Sequence, residues 1–229
     1  MDALLTPAES QALLLSLRVS FVAVFAALPI AFVLALWLSR SRFAGRALLD
    51  GLVLLPLVLP PVAVGFLLLS VFGTRAGLGL FLWQHFGIRF VFSWTGAALA
   101  SGLITLPFQV RAIRLMLDGA DRRLNEAAAT LGANWLDRLV TITIPLAFPG
   151  IVAGVITAFA ASLGEFGAII TFVSNIPGET RTLPLAIYTA LQTPGGTDAA
   201  ARLSLLSIIL ALLFLVLAEF ATARARKAL

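Results

Sequence analysis

The feature that most constrains this chain is a series of five long apolar runs, separated by short polar or basic segments. Each run is at least as long as the roughly 20 residues that an α-helix needs to cross a bilayer. Hydrocarbon offers no partner to a free backbone group, so a spanning segment has to satisfy its own hydrogen bonds, as a helix does. The runs therefore predict an all-α integral membrane protein, a polytopic helical bundle with spans at residues 17–38, 48–72, 92–117, 146–173 and 203–222.

Composition supports a membrane protein and excludes several kinds of chemistry. Only 12% of the residues are charged, against roughly 25% in a typical soluble domain. Cysteine is absent, which excludes disulfides, thiolate metal ligands and a cysteine nucleophile. The only lysine is Lys227, so there is no G-x-x-x-x-G-K-[ST] phosphate loop, and any ATP-driven work requires another chain. We assign no catalytic residue, no metal ligand and no cofactor to this chain. The net charge of +5 is dispersed over short loops and does not indicate nucleic-acid binding.

The chain is expected to form a single transmembrane domain over residues 1–229, with a core at about residues 13–222. Residues 73–91 are glycine-rich and aromatic, and we interpret them as an external loop with a short interfacial helix. Residues 174–202 are a polar loop that holds a weakly apolar segment, Leu183–Leu191. This segment is predicted to be a short or re-entrant helix, and a sixth span is the alternative.

Lysine and arginine predict the orientation, because cytoplasmic loops carry an excess of both. With residues 118–145 inside, eleven of the sixteen basic residues lie inside and five outside. This predicts the N-terminus outside and the C-terminus inside, and it favours five spans, because a sixth would carry the basic tail outside. The inside residues are Arg40, Arg42, Arg46, Arg111, Arg114, Arg122, Arg123, Arg138, Arg224, Arg226 and Lys227. The outside residues are Arg18, Arg75, Arg89, Arg181 and Arg202.

The longest polar interruption, residues 118–145, reads as a short amphipathic helix followed by a connection that ends at Pro145. Asp121 is a suitable N-cap and Gly132 a suitable stop. The apolar positions are spaced so that they share one helical face. These positions are Leu124, Ala128, Leu131 and Trp135.

This segment resembles the cytoplasmic EAA loop of the permeases of type I ABC importers, and Ile144 stands where leucine is commoner. In that family the loop forms a coupling helix that docks into a cleft of the ATPase subunit. An ordinary amphipathic surface helix is the plainer alternative. The resemblance implies an ATPase-coupling role for the matching residues, which are Glu126, Ala127, Ala128, Gly132, Ile142 and Pro145.

The resemblance extends over nearly the whole chain. The segments at residues 59–61, 87–90, 163–168 and 174–188 look like those of bacterial molybdate importer permeases, within a group that also carries tungstate and sulfate. It implies a homodimer in the bacterial inner membrane, with two ATPase subunits that use ATP and Mg. An extracytoplasmic binding protein would deliver molybdate. Sulfate or tungstate import and a non-transport membrane enzyme or scaffold are the alternatives.

Prolines mark further points of interest within the predicted spans. Pro60 and Pro61 break the second span near its middle, where the freed carbonyls need other partners. They line a translocation path or form a gate, or else they only produce a packing kink. The third span is predicted to break near Pro107, and Arg111 and Arg114 at its end are expected to snorkel to the headgroups.

Glu165 is an acidic residue deep in an apolar run, where a carboxylate is costly unless it faces protein or water. The neighbouring Gly164 and Gly167 allow a kink or a close backbone approach. These three residues are candidates for the translocation path or gate. The alternative is that Glu165 caps a broken helix or pairs with an arginine. Because a bare carboxylate repels an anion, Glu165 is not assigned as a direct anion ligand.

Overall fold

The computed structural model describes residues 5–40, 44–75 and 77–227, which form helices joined by turns, with no strand among them. A π-helical turn, Leu139–Thr143, joins two of the helices end to end. Arg42, one of the predicted inside arginines, lies outside the described residues. The helices are α1 (Pro7–Arg40), α2 (Arg46–Val58), α3 (Pro61–Phe72), α4 (Gly77–Phe86), α5 (Trp94–Gly119), α6 (Arg122–Thr130), α7 (Trp135–Arg138), α8 (Ile144–Leu163), α9 (Gly167–Val173), α10 (Leu183–Gln192) and α11 (Thr197–Lys227).

Four helical stretches in the described residues are long and apolar enough to cross a membrane. They are α1, α5, the continuous stretch Trp135–Leu163, and Thr197–Leu217 within α11. The bent pair of α2 and α3, which turns by 111°, passes the same test as one broken span. Counted in this way, the helices match the five predicted spans in number and order.

The two predicted short helices are also present. The loop at residues 73–91 contains α4, and the loop at residues 174–202 contains α10. The ten residues of α10 extend over about 15 Å at 1.5 Å per residue. This is half of the roughly 30 Å of hydrocarbon in a bilayer, so α10 is a short helix and does not add a sixth span.

Small residues let α1, α5 and α8 form the centre of the bundle. A Cβ atom on Gly102 of α5 would lie 3.1 Å from the carbonyl oxygen of Ala23 on α1. On the other side of α5, a Cβ atom on Gly154 of α8 would lie 3.0 Å from the Cα atom of Gln109. Backbones that approach so closely gain dispersion contacts, which are a main source of helix association in lipid.

Hydroxyl groups connect the same three helices inside the bundle. Ser162 of α8 donates to Ser20 of α1 over 2.9 Å, and the hydroxyls of Ser162 and Ser101 of α5 are 2.8 Å apart. All three side chains are buried. Gln109 of α5 donates its amide N–H to the carbonyl oxygen of Val24 on α1 over 3.1 Å. Polar contacts of this kind fix which faces of the helices meet.

The predicted break near Pro107 is wrong, because α5 runs without interruption from Trp94 to Gly119. Proline removes one backbone donor, and the lost bond is tolerated because neighbouring helices hold α5 on both sides. Pro107 is buried in that packing. The proline therefore does not interrupt the span.

Candidate functional site

The helix α6 has the start and the stop that the sequence predicts. The Asp121 carboxylate accepts a hydrogen bond from the backbone N–H of Arg123 over 2.9 Å. At the other end Gly132 adopts a φ of 86°. The N–H groups of Gly132 and Ala133 donate to the carbonyls of Ala129 and Ala128. These paired bonds form the Schellman arrangement, which turns the chain sharply out of the helix.

The predicted face that joins Trp135 to α6 is wrong, since the helix has ended before that residue. Trp135 begins the separate helix α7, which Asn134 and Asp137 stabilise by a reciprocal capping box. The side chain of Asn134 accepts from the N–H of Asp137 over 3.0 Å, and the Asp137 carboxylate accepts from the N–H of Asn134 over 3.2 Å. The Asn-x-x-Asp spacing was the sequence signal that could have revealed this start.

Large apolar side chains on α6, α7 and the turn between them are exposed. Leu131 is 88% exposed, and Leu136 is 60% exposed. The alanines Ala127 and Ala128 lie on the same short helix, which buries none of its described residues. Glu126 is exposed and makes no hydrogen bond or ion pair with another described residue. This end of the bundle therefore presents an amphipathic surface that lacks a partner within the described part of the chain.

A groove of about 300 Å³ lies between α6, α7 and the end of α1. Its polar lining places one carboxylate beside two guanidinium groups. Such a groove offers both signs of charge to a protein side chain. The lining residues are Arg40, Asn125, Glu126, Ala129, Trp135 and Arg138.

Pro145 does not end the connection as predicted. It lies in the first turn of α8, and the helix runs from Trp135 through the π-turn to Leu163. The segment at residues 118–145 thus contains the separate short helix α6 in its first part and a helical extension of a span in its last part. Ile142 lies half-buried within the π-turn.

The two helix breaks at the path candidates pack against each other. Leu59 and Pro60 are extended between α2 and α3. A Cβ atom on Gly167 would lie 2.8 Å from the Cβ atom of Pro61. One on Gly65 would lie 2.7 Å from the carbonyl oxygen of Ala168. Glycine is needed at both positions because α3 and α9 are in backbone contact there.

Glu165 caps a helix, which was one of the two structural alternatives. The fourth apolar run breaks at Gly164 into α8 and α9, and Glu165 lies in the break with 8% of its surface exposed. Its carboxylate oxygen accepts from the N–H of Ala168 in the first turn of α9 over 2.9 Å. No arginine pairs with it among the described residues. The capping bond accounts for the position of this carboxylate within an apolar run.

The coupling candidates and Glu165 form two separate sites. The helix α8, with 20 residues, separates them by about 30 Å at 1.5 Å per residue. Arg114, which is expected to snorkel to the headgroups, bonds to Asp50 of α2 over 2.8 Å and to Asp118 over 3.3 Å.

Comparison with known proteins gives one family and several close relatives. The family described as binding-protein-dependent transport system inner membrane component matches residues 27–227. The molybdenum transport system permease protein ModB of Escherichia coli (strain K12) is 55% identical over 217 residues, which is 95% of each chain. ModB of Haemophilus influenzae is 49% identical over 96% of each chain. The sulfate transport system permease protein CysT of Salmonella typhimurium is 38% identical over 82% of this chain and 67% of its own.

The fold is shared with solved transporters. A chain in the crystal structure of a bacterial alginate ABC transporter, in complex with an alginate pentasaccharide-bound periplasmic protein, superimposes with a TM-score of 0.75. The match covers 96% of this chain and 80% of that chain at 20% sequence identity. At this identity the likeness shows the fold, which is that of the type I ABC-importer permeases.

Proposed function

The chain belongs to the family of binding-protein-dependent transport system inner membrane components, and we propose that it is the permease subunit of an ATP-driven importer of molybdate. The 55% identity to a molybdenum permease over 95% of both chains carries the cargo assignment. The match to a sulfate permease is weaker, at 38% over 67% of that protein. Molybdate is therefore favoured over sulfate within the same oxyanion group.

The partners follow from what the chain lacks and what it exposes. With Lys227 as its only lysine it has no phosphate loop, so ATP and Mg belong to a separate ATPase subunit. The exposed surface of α6 and α7, with Glu126 and Leu131, is the part that docks into that subunit. Ala127 and Ala128 keep the helix narrow, and Gly132 sets its end. Ile142 and Pro145 belong to the same docking segment, and they join it to α8.

The transporter contains two copies of this chain and two ATPase subunits, with the path between the copies. ATP binding closes the ATPase pair and draws the docking segments together, and the spans then open to an extracytoplasmic molybdate-binding protein. The helix turns by 111° at Pro60 and Pro61, and the fourth apolar run is interrupted at Gly164 and Glu165 just before Gly167, so both breaks suit a gate. The docking segment faces the cytoplasm, and the N-terminus lies outside.

The test is an ATPase assay on the complex of permease, ATPase and binding protein in proteoliposomes. We expect hydrolysis to rise with molybdate-loaded binding protein and to stay low without it. A complex that responds only to sulfate would exclude molybdate as the cargo. A permease that co-purifies with no ATPase would exclude the transporter function altogether.

A docking-segment variant makes the assay specific. Gly132→Asp forces a side chain onto a φ of 86° in the docking segment, and Gly195→Asp does so at a φ of 76° in the loop before α11. Neither glycine has an atom within 4 Å of its Cβ position, so the two variants carry the same local strain. Stimulation by loaded binding protein should fall in Gly132→Asp and persist in Gly195→Asp. Equal stimulation in both variants would contradict the coupling role.

A further inference from the structure

A polar link joins the end of α1 to the segment that follows α7. Arg40, the last residue of α1, donates from Nη2 to the hydroxyl of Thr143 over 2.5 Å, although 103 residues separate the two in sequence. Thr143 is 1% exposed. Its hydroxyl donates in turn to the carbonyl oxygen of Arg138 over 3.2 Å. One hydroxyl therefore holds α1 and the residue that ends α7 at the same time.

The link falls on the most irregular turn of the long helix. In the π-turn Leu139–Thr143 the N–H of Ile144 reaches back five residues to the carbonyl oxygen of Leu139. Pro145 follows and has no N–H to donate, so the regular ladder is weakened at this point. Turns of this kind often mark functional positions within helices. Thr143 thus lies where the docking segment joins α8, and where bending is easiest.

We propose that the Arg40–Thr143 bond is a positioning link that carries movement of the docking segment to α1. This inference rests on the proposed transport function. The chain itself connects the docking segment to α8 through the π-turn. It does not connect that segment to α1, which packs against α5 and α8 and bonds to α8 through Ser20 and Ser162. The Arg40–Thr143 bond supplies this second connection at the end of α1, so α1 and the docking segment move together when the ATPase subunits close.

Thr143→Val tests the link because it keeps the shape of the side chain and removes the hydroxyl. A hydrogen bond to a charged group is equivalent to about a tenfold change in an equilibrium, and we expect molybdate uptake per ATP hydrolysed to fall by about this factor. Thr143→Ser keeps the hydroxyl and should restore coupling. The matched control is Thr141→Val in the same π-turn. The Thr141 hydroxyl donates over 2.6 Å to the carbonyl oxygen of Asp137 and does not reach α1.

The second partner gives an independent check. Arg40→Gln should lower the same ratio, and the double variant Arg40→Gln with Thr143→Val should be no worse than the single variants. Such non-additivity is expected of two residues that act through one bond. Additive losses, or a normal ratio in Thr143→Val, would overturn the proposal.

A distance measurement tests the link without reference to the cargo. Because the chain has no cysteine, spin labels can be attached to one of the two copies alone, at Val33→Cys on α1 and Val140→Cys in the π-turn, two exposed positions outside α6 and α7. In the assembled complex the distance between them should stay single and unchanged when ATP binds. In Thr143→Val, ATP should produce a second distance.

The two measurements separate failure of the link from failure of the cargo assignment. If the distances behave as expected and molybdate-loaded binding protein has no effect, the link stands and the cargo is wrong. If the Thr143→Val distance stays single with ATP, or if the parent distance changes, the link is wrong even in an active molybdate importer.

Discussion

At the scale of single residues, two glutamates at different ends of the bundle have opposite surroundings. Glu126 is exposed and without a partner in the described part of the chain, whereas Glu165 is buried and bonded to the N–H of Ala168. The contrast follows from where backbone N–H groups lack a hydrogen-bond acceptor. A helix start inside an apolar run leaves N–H groups that hydrocarbon cannot satisfy.

Substitution of Glu165 separates its capping role from a role of its charge. Glu165→Gln retains a side-chain oxygen that can accept from Ala168, so we expect nearly normal thermal stability in detergent. Glu165→Ala removes the acceptor and should lower the free energy of unfolding by about 1 kcal/mol, as for other lost caps. Molybdate uptake by Glu165→Gln then shows whether the charge of this residue is also needed. Normal uptake means that the residue acts as a cap, and lost uptake with normal stability means that the charge itself matters in the path.

At the scale of elements, the residues with local causes could be predicted and those with distant causes could not. Asp121 and Gly132 bound α6 through bonds to neighbours in sequence, so their residue types were sufficient. The break at Pro60 and Pro61 also has a local cause, which is the two prolines themselves. The break at Gly164 is one of the alternatives that the sequence leaves open, since Gly164 and Gly167 allow a kink and Glu165 is a possible cap, and no local signal decides between a cap and an arginine pair.

The π-turn and the unbroken α5 depend on tertiary packing. Thr143 is held by Arg40, which is distant in sequence, and no local pattern contains that pair. Proline predicts a break at Pro107, whereas α5, which packs against α1 and α8, continues through this buried residue. For the same reason the coupling residues could be proposed from the sequence alone, whereas the bond between Arg40 and Thr143 could not.

The contact between α3 and α9 makes a prediction about glycine. In Gly65→Ala the new Cβ atom would lie 2.7 Å from the carbonyl oxygen of Ala168 and 2.8 Å from the Cβ atom of Thr171. The two helices have to separate, and overpacking of this kind lowers stability by about 1–3 kcal/mol. The control is Gly51→Ala in α2, where the Cβ position is open. We expect thermal unfolding in detergent to shift downward in Gly65→Ala alone, and equal transitions in both variants would contradict the close packing.

At the scale of the whole molecule, the ends of the bundle are distinct, and the distribution of basic residues assigns each to one side of the membrane. The predicted orientation puts α6 and the π-turn inside. The loop that contains Glu179 then lies outside. Five spans are required for this arrangement, and the short α10 is consistent with that number.

Single cysteines test the orientation directly. Leu131→Cys and Glu179→Cys are exposed positions at opposite ends of the chain's long helices, and the parent protein has no thiol. An impermeant maleimide added to intact spheroplasts should label Glu179→Cys and leave Leu131→Cys unlabelled until the cells are opened. Labelling of Leu131→Cys in intact spheroplasts would reverse the assigned topology.

The hydroxyl contacts of Ser20, Ser101 and Ser162 also bear on how the protein is made. Ser20 lies in α1, and its partner Ser162 follows 142 residues later. Until Ser162 is synthesised, the Ser20 hydroxyl has to use another partner, such as a carbonyl of its own helix. Biogenesis therefore depends on a long-range encounter, and α1 completes its polar contacts only after α8 has been synthesised.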